Sequence, residues 1–318
     1  MPVTDSSVIV CGEALVDLMP EDDTGTNWRA LAGGSPFNTA VALARLRVPT
    51  QFLGRVGTDA FGRLIRMRIA RTTMDDGLIV RTSDPTTVAA VNIDHMGNAT
   101  YHFYWDGSTN AGWRSDELPV LDDVRPVLHV GSLAAVLGPS DTILLDWFRS
   151  AAASTPVTYD LNVRPAVLAD VDEYRRRVLR FVEIATVAKA SEDDARHLYP
   201  DQSLADVAAD WFSRAPRLDT VIFTGGGDGS RLIRRDGSGF TMPTVRVDIV
   251  DTVGAGDTFM AGYLQSRFIL DEDEPASLRR ATVAGALVCT RRGAEPPTGL
   301  EVDAVLDARG HQLVATGG

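Results

Sequence analysis

Short runs of β-branched and apolar residues alternate along this chain with longer stretches in which apolar positions recur every three or four residues. SVIVCG (7–12), TQFLGRVG (50–57), VLHVGS (127–132), PVTYDLN (156–162), TVAKA (186–190) and LDTVIFT (218–224) are of the first kind and predict buried strands. SPFNTAVALARLR (35–47), DAFGRLIRMRIAR (59–71), DTILLDWFRSAA (141–152), EYRRRVLRFVE (173–183), a segment near 203–214, and residues 256–268 and 276–292 are of the second and predict helices. Ser35 stands where an N-cap belongs, with Pro36 at the first helical position, and Asp59 can cap the second helix. Strand–helix alternation over 1–318 predicts one α/β domain with a central, mainly parallel sheet and helices on both faces.

One region breaks the rhythm. TVAAVNIDHMGNATYHFYWDG (87–107) reads as two alternating strands joined at HMGN. With EALVDLMPEDDTGTNWRAL (13–31) it predicts a small β-sheet standing off the main body as a lid, because active-site covers are commonly such excursions. An edge hairpin of the main sheet is the alternative.

Composition narrows the partners. The 318 residues, 44% of them apolar, are enough for a sizeable core. A net charge of −12 disfavours unspecific attraction to nucleic acid or anionic membrane, so an anionic ligand must be held by a local device. Of 31 basic residues only Lys189 is lysine, and no Gly-Lys-Ser/Thr phosphate loop exists. Cys11 and Cys289 lie in apolar runs and read as buried free thiols, and the five histidines form no HxH or HExxH pattern. No signal peptide and no membrane span of roughly 20 apolar residues is evident, so a soluble, cytoplasmic protein is expected.

The candidate chemistry sits in DTVGAGDTFMAGYL (251–264). Gly254 and Gly256 let the backbone turn sharply into a helix whose free N–H groups form an anion cradle, reinforced by the helix dipole. Asp257 has two readings. Acidic residues stabilise helix N-termini by roughly 0.3–1 kcal/mol. Alternatively, the carboxylate is a general base that takes the proton of a substrate hydroxyl while Gly254, Ala255 and Gly256 cradle an incoming phosphoryl group.

This string resembles the carboxy-terminal signature of the ribokinase-like (PfkB) carbohydrate kinase family. AGGSPFNTAVALARL (32–46) resembles the amino-terminal one, with Gly33, Gly34 and Asn38 at matching spacing. GEALVDL (12–18), GRVGTDAFG (54–62), DLNVRP (160–165) and TGGGDGS (224–230) follow in family order, so the resemblance covers nearly the whole chain. It implies a ribokinase-like fold and ATP-dependent, Mg2+-assisted phosphorylation of a carbohydrate hydroxyl. It also implies roles for single residues. Asp17 would bind sugar hydroxyls, Gly33, Gly34 and Asn38 would form the sugar-contacting turn, and Tyr101 and Phe103 would stack on the sugar. In DLNVRP, Asn162 would sit on the substrate side and Arg164 would reach both substrate and transferring phosphoryl group. Thr224, Gly225, Gly227 and Gly229 would lie over the nucleotide phosphates and ribose, with Ala284 and Val288 flanking adenine. A monovalent cation such as K+ would sit near Asp251, Val253, Val288 and Gly293. Plainer readings stay open: a strand-end carboxylate, a capped helix start, a solvated arginine, a hairpin turn and helix-core residues.

One departure concerns the metal. The family often shows Asn-x-x-Glu after a lysine-bearing strand, helping to organise magnesium; here Ser191 and Asp194 stand at those positions. Their shorter reach suits contact through water, and capping of a surface helix by Ser191 is the rival reading. The substrate strings look most like the fructokinase and 2-keto-3-deoxygluconate kinase branch. Ser35-Pro36-Phe37 replaces the lysine of kinases acting on phosphorylated sugars. The lid strand has no arginine before Arg114 to pair a keto acid. A neutral ketohexose, fructose, phosphorylated on its primary 6-hydroxyl, is therefore the expected substrate, with the keto acid second, then ribose or a nucleoside. A non-catalytic sugar sensor and a NAD-dependent oxidoreductase are the readings from other classes. The latter suffers from the missing GxGxxG in VIVCGEAL and from Phe259 in place of a third glycine. Exposed lid strands suggest a homodimer.

Overall fold

The computed structural model describes residues 7–22, 25–93, 99–121, 124–309 and 313–317. The chain opens with β1 (Val8–Cys11), β2 (Leu15–Pro20), β3 (Trp28–Gly33) and α1 (Ser35–Arg45), followed by β4 (Thr50–Gly57), α2 (Ala60–Ile69) and β5 (Ile79–Thr82). Then come β6 (Val88–Ile93), β7 (Ala99–Tyr104), β8 (Val127–Gly131), α3 (Ser140–Ala152), β9 (Val157–Asp160), α4 (Val171–Val182) and β10 (Val187–Ser191). The remainder is α5 (Glu192–Leu198), α6 (Leu204–Arg214), β11 (Thr220–Thr224), β12 (Ser230–Arg234), β13 (Gly239–Met242), α7 (Ala255–Leu264), α8 (Glu274–Val288), α9 (Gly299–Arg309) and β14 (Thr316–Gly317).

The main sheet has the order β14-β13-β12-β11-β10-β9-β8-β1-β4-β5. From β11 to β5 every pairing is parallel, while β12, β13 and β14 add antiparallel at one edge. The period-2 pattern of the sequence explains the two cores. On β1, Val8 and Val10 pack beneath α1, α7 and α8, whereas Ile9 and Cys11 pack against α3, α4 and α6. The chain runs from β1 to β4 on one side and later returns to β8 on the other. A crevice therefore opens at the carboxyl ends of these strands, where the winding reverses.

A second sheet, β3-β2-β6-β7, stands apart, as expected; the edge-hairpin alternative does not hold. The HMGN turn (95–98) lies outside the described residues. Pairing runs Asp17↔Ala89 and Ala89↔Phe103, which aligns Asp17 and Phe103 on one face of this sheet. At its root, Asn110 Nδ2 donates to Ala14 O at 2.9 Å and to Thr87 Oγ1 at 2.8 Å, tying the start of β2 to the start of β6.

Helix ends follow local chemistry with one correction. Asp59 caps α2 as expected, its Oδ1 accepting from Gly62 N at 2.7 Å. Ser35 is not the cap of α1. Gly34, at φ 104°, holds that place, and the Ser35 hydroxyl turns toward a partner far along the chain. The α-helical part of 256–268 ends at Leu264 and continues as a π-turn over Gln265–Ile269. Both cysteines are buried and free. Among the described residues, no helix is long and apolar enough to cross a membrane.

Candidate active site

A cleft of about 1060 Å³ lies over the carboxyl ends of the parallel strands, between the two sheets. β1 and β2 deliver Glu13 and Asp17, the start of α1 delivers Gly34, Ser35 and Asn38, and β7 delivers Tyr101 and Phe103. Asp160 ends β9 and Asn162 and Arg164 follow it, Lys189 comes from β10, and Thr224–Gly229 and Gly254–Asp257 complete the lining. Asn162 adopts φ 40°, a left-handed turn that asparagine tolerates, and this brings the chain round to Arg164. Segments more than two hundred residues apart thus share one cavity.

Asp257 sits in the first turn of α7 and is 7% exposed. Its carboxylate does not cap its own helix. Oδ1 accepts from Ser35 Oγ at 2.7 Å and Oδ2 from Asn38 Nδ2 at 3.0 Å, both on α1. The simple N-terminal-charge reading is therefore incomplete, because the side chain is aimed across the cleft floor. Gly254 precedes α7 at φ 79°, and a Cβ there would lie 2.8 Å from Ala294 Cβ. Only glycine supplies that left-handed turn without strain; Ala255 N donates to Thr252 O at 3.2 Å, while Gly256 and Asp257, whose N–H groups have no intrahelical acceptor, line the cleft. Burial raises the Asp257 pKa, opposed by the Ser35 and Asn38 hydrogen bonds and by the charges of Arg164 and Lys189.

Two further carboxyls crowd the same side. Burial pushes Glu13 up to about 7, against hydrogen bonds from Ser132 and the Ala134 N–H. Burial also pushes Asp17 up to about 6, with Arg164 and Arg68 pulling it back. Gly33 does not line the cleft but backs it: a Cβ there would fall 2.3 Å from Asp17 Oδ2. Tyr101 and Phe103 stack at 5.9 Å between ring centroids, 15° from parallel. Beneath the cradle, Lys189 Nζ donates to Asp160 Oδ2 at 2.8 Å, the residues being 3% and 1% exposed. Burial raises the Asp160 carboxyl even beside this ammonium.

On the opposite side, Thr224, Gly225, Gly227 and Gly229 line the cleft. They also form the turn of the β11–β12 hairpin, so the plainer reading and the ligand-facing one coincide there. Ala284 and Val288 are a correction. Both are wholly buried; Ala284 packs against Gly262 of α7, and the cleft-facing positions of α8 are Thr282, Gly285 and Ala286, with Cys289 just beyond its end. The periodicity of 276–292 is right and its phase is off by about one residue.

The metal expectations divide. Asp194 Oδ1 accepts from Val163 N at 2.9 Å and Oδ2 from Ser191 N at 2.8 Å, while Ser191 Oγ accepts from Asp194 N at 2.9 Å. This is a reciprocal helix cap that also anchors the segment leading from β9 to Arg164. Each carboxylate oxygen already has a backbone N–H partner, and among the described residues no group of three or more His, Cys, Asp or Glu side chains is placed to hold a metal ion. The residues do not fit a directly coordinated divalent ion. Asp251, Val253 and Gly293 do come together, Asp251 accepting from Val253 N at 3.0 Å and from Gly293 N at 2.8 Å. Val288 is buried behind them and its carbonyl accepts from Arg291 N at 3.1 Å.

Sequence reasoning missed Glu13, Ser35 as a partner of Asp257, the Asp160–Lys189 pair, and Arg68. Lys189 alone carried a signal, as the single lysine of the chain set in an otherwise apolar strand. Arg114 is exposed and pairs with Asp116, away from the cleft.

A buried, oriented carboxylate beside a helix-N-terminal nest, at the winding switch of an α/β sheet and faced by a small separate sheet, is the equipment of a ribokinase-like phosphotransferase. Residues 3–299 match the pfkB family carbohydrate kinases, and the chain belongs to that family. A fructokinase of Rhizobium leguminosarum bv. trifolii is 33% identical over 261 residues, covering 81% of this chain and 79% of that one. The crystal structure of a fructokinase with bound ATP from Xylella fastidiosa superimposes with a TM-score of 0.87 at 26% identity, covering 96% of this chain and 99% of that one. A fructokinase from Vibrio cholerae O395, crystallised with fructose, ADP and calcium, gives 0.82 at 26% identity, covering 94% and 98%. The oxidoreductase reading falls with this membership.

Proposed function

We propose that this protein is an ATP-dependent fructokinase that forms fructose 6-phosphate and ADP. The observation that carries the reading is the Asp257 carboxylate, held by Ser35 and Asn38 at the mouth of the α7 amide nest and inside the cleft shared by Asp17, Tyr101 and Phe103. Asp257 takes the proton from the sugar 6-hydroxyl as that oxygen bonds to the γ-phosphorus. The bond from phosphorus to the β,γ-bridging oxygen breaks, and ADP leaves with the electron pair. The N–H groups of the first turn of α7 and the guanidinium of Arg164 meet the charge that gathers on the transferring group. A carboxyl already raised by burial accepts a proton more readily than a solvated aspartate.

Asp17 accepts sugar hydroxyls, and the Tyr101–Phe103 stack offers a neutral face to sugar C–H groups. A keto-acid carboxylate would instead meet Glu13 and Asp17, which favours the neutral ketose. ATP would lie along Thr224–Gly229 toward α8, as its magnesium complex. Asp194 then serves by holding Val163, and through it Arg164, and contacts no ion directly. A monovalent cation such as K+ near Asp251, Val253 and Gly293 belongs to the same reading. The four-stranded sheet acts as the lid, in a cytoplasmic enzyme. Its exposed Trp28 and Tyr104 are surfaces that a second copy would cover in a homodimer. The test is an ATP-coupled assay over fructose, 2-keto-3-deoxygluconate, ribose and several nucleosides, with 31P NMR of the product. Highest kcat/KM on fructose with a 6-phosphate is expected; faster turnover of the keto acid would overturn the substrate.

A further inference from the structure

Arg68 belongs to none of the motifs discussed above, yet its guanidinium reaches the back of the cleft from α2. Nη1 donates to Asn38 Oδ1 at 3.0 Å and to Ala32 O at 2.5 Å, and Nη2 donates to Ala294 O. The same group lies over the Phe37 ring, 5.6 Å from its centroid. Each contact serves a segment that builds the site. Ala32 leads into the glycine behind Asp17, Asn38 holds Asp257, and Ala294 packs on Gly254.

We infer that Arg68 is a positioning residue: it sets which way round the Asn38 amide sits, and so keeps an N–H donor on Asp257 and the carboxylate aimed at the substrate. This rests on the kinase reading above and adds to it a residue that acts through another. The two ends of an amide are nearly equal in shape and opposite in hydrogen-bonding sense. A guanidinium only donates and an ionised carboxylate only accepts. Between Arg68 and Asp257, one orientation of Asn38 satisfies both, with Oδ1 toward Arg68 and Nδ2 toward Asp257 at 3.0 Å. The reverse would set N–H against guanidinium and oxygen against carboxylate. Charge acts in the same direction. Arg68 faces Asp257 and Asp17 and is itself offset by Glu295. The other charges facing Asp257 are Arg164 and Lys189, which favour its ionised form, and Asp17 and Asp160, which oppose it. Without Arg68 the balance moves toward the protonated acid.

The test compares Arg68→Gln and Arg68→Lys with wild type, measuring kcat and KM for fructose against pH. Arg68→Gln is expected to lower kcat at neutral pH by about 10–100-fold, as small misplacements of reacting groups do. The acid limb of its profile should move up by as much as about one pH unit, with KM changing less. Arg68→Lys should return the limb to its wild-type place while kcat stays reduced, since an ammonium does not reproduce the planar fork. An Arg68→Gln profile that overlays the wild-type one, with kcat reduced only in step with the folded fraction, would overturn the inference. If wild-type protein turns over no fructose, the substrate reading is what fails. Arg68 is then judged by a 13C-carboxyl NMR titration of unliganded protein, with the Asp257 signal assigned through Asp257→Asn. A higher Asp257 midpoint in Arg68→Gln supports the role, and an unchanged midpoint overturns it.

Discussion

The two sides of the cleft are built on different plans. On the side proposed for the sugar, Arg68, Asn38, Asp257 and Ser35 form an unbroken run of hydrogen bonds drawn from α1, α2 and α7, largely shielded from solvent and in place before any ligand arrives. On the side proposed for the nucleotide, the walls are the Thr224–Gly229 turn, the start of α5 and the 244–253 segment, where Ile249 stands 68% exposed. Preorganised polar groups are worth most where charge moves during reaction. Under the proposed function, the side that carries the chemistry is hydrogen-bonded in advance, and the side that would hold the leaving group is more open.

This contrast can be broken at its strongest point by Asp257→Asn. The amide preserves volume but cannot take a proton, so kcat should fall by about 10²–10⁴-fold while ATP and sugar affinities, measured by calorimetry, change little. Near-normal turnover would remove Asp257 as the base. Glu13→Gln probes what the preorganised side costs in stability. The folded Glu13 pKa of about 7 lies above its ordinary 4.5, so its favourable contribution is complete below 4.5 and is lost as pH rises through 7. Unliganded Glu13→Gln should therefore gain stability over wild type between these values, by up to about 3 kcal/mol at pH 8, with little difference at pH 4.5. A difference in thermal unfolding independent of pH would contradict this account.

Gly254→Ala comes next, at the joint between the two sides. It forces a left-handed residue and a contact with Ala294, costing about 1–3 kcal/mol, and should weaken ATP binding more than fructose binding. Equal loss of both would mean that the start of α7 has simply unfolded. The smallest effect belongs to Gly227→Ala. A Cβ there meets nothing within 4 Å, so stability should stay within about 0.5 kcal/mol of wild type. A large drop in Tm would show that the nucleotide side is more tightly built than its open walls indicate.

How much of this was legible in the chain follows from the range of each interaction. Strand alternation and helix periodicity are local, and β1 shows the result, its odd and even residues parting into two cores. The glycine–acid string at α7 was legible for the same reason, since a helix start and its free N–H groups are contiguous in sequence. Ser35 illustrates the limit. A serine before a helix is read as a cap, but the hydroxyl serves Asp257, 222 positions away. Arg68 looked like one more basic residue on an amphipathic helix, and nothing local distinguishes a guanidinium that enters a site from one that meets water. Ala284 and Val288 failed by phase, because a helix packed on two sides carries apolar residues around most of its circumference and so conceals which stripe faces a ligand. For Asp194 the rival reading was capping of the helix start by Ser191; that cap is present, and the two carboxylate oxygens accept from Val163 N and Ser191 N.

Lys189, buried under the nest against Asp160, has a practical consequence. Because it is the single lysine in 318 residues, a lysine-directed endoprotease has one peptide bond to cut, and that bond lies in a central strand of the main sheet. Appearance of the two fragments then clocks global opening of the domain, and ligands that close the cleft should slow that clock in proportion to their grip.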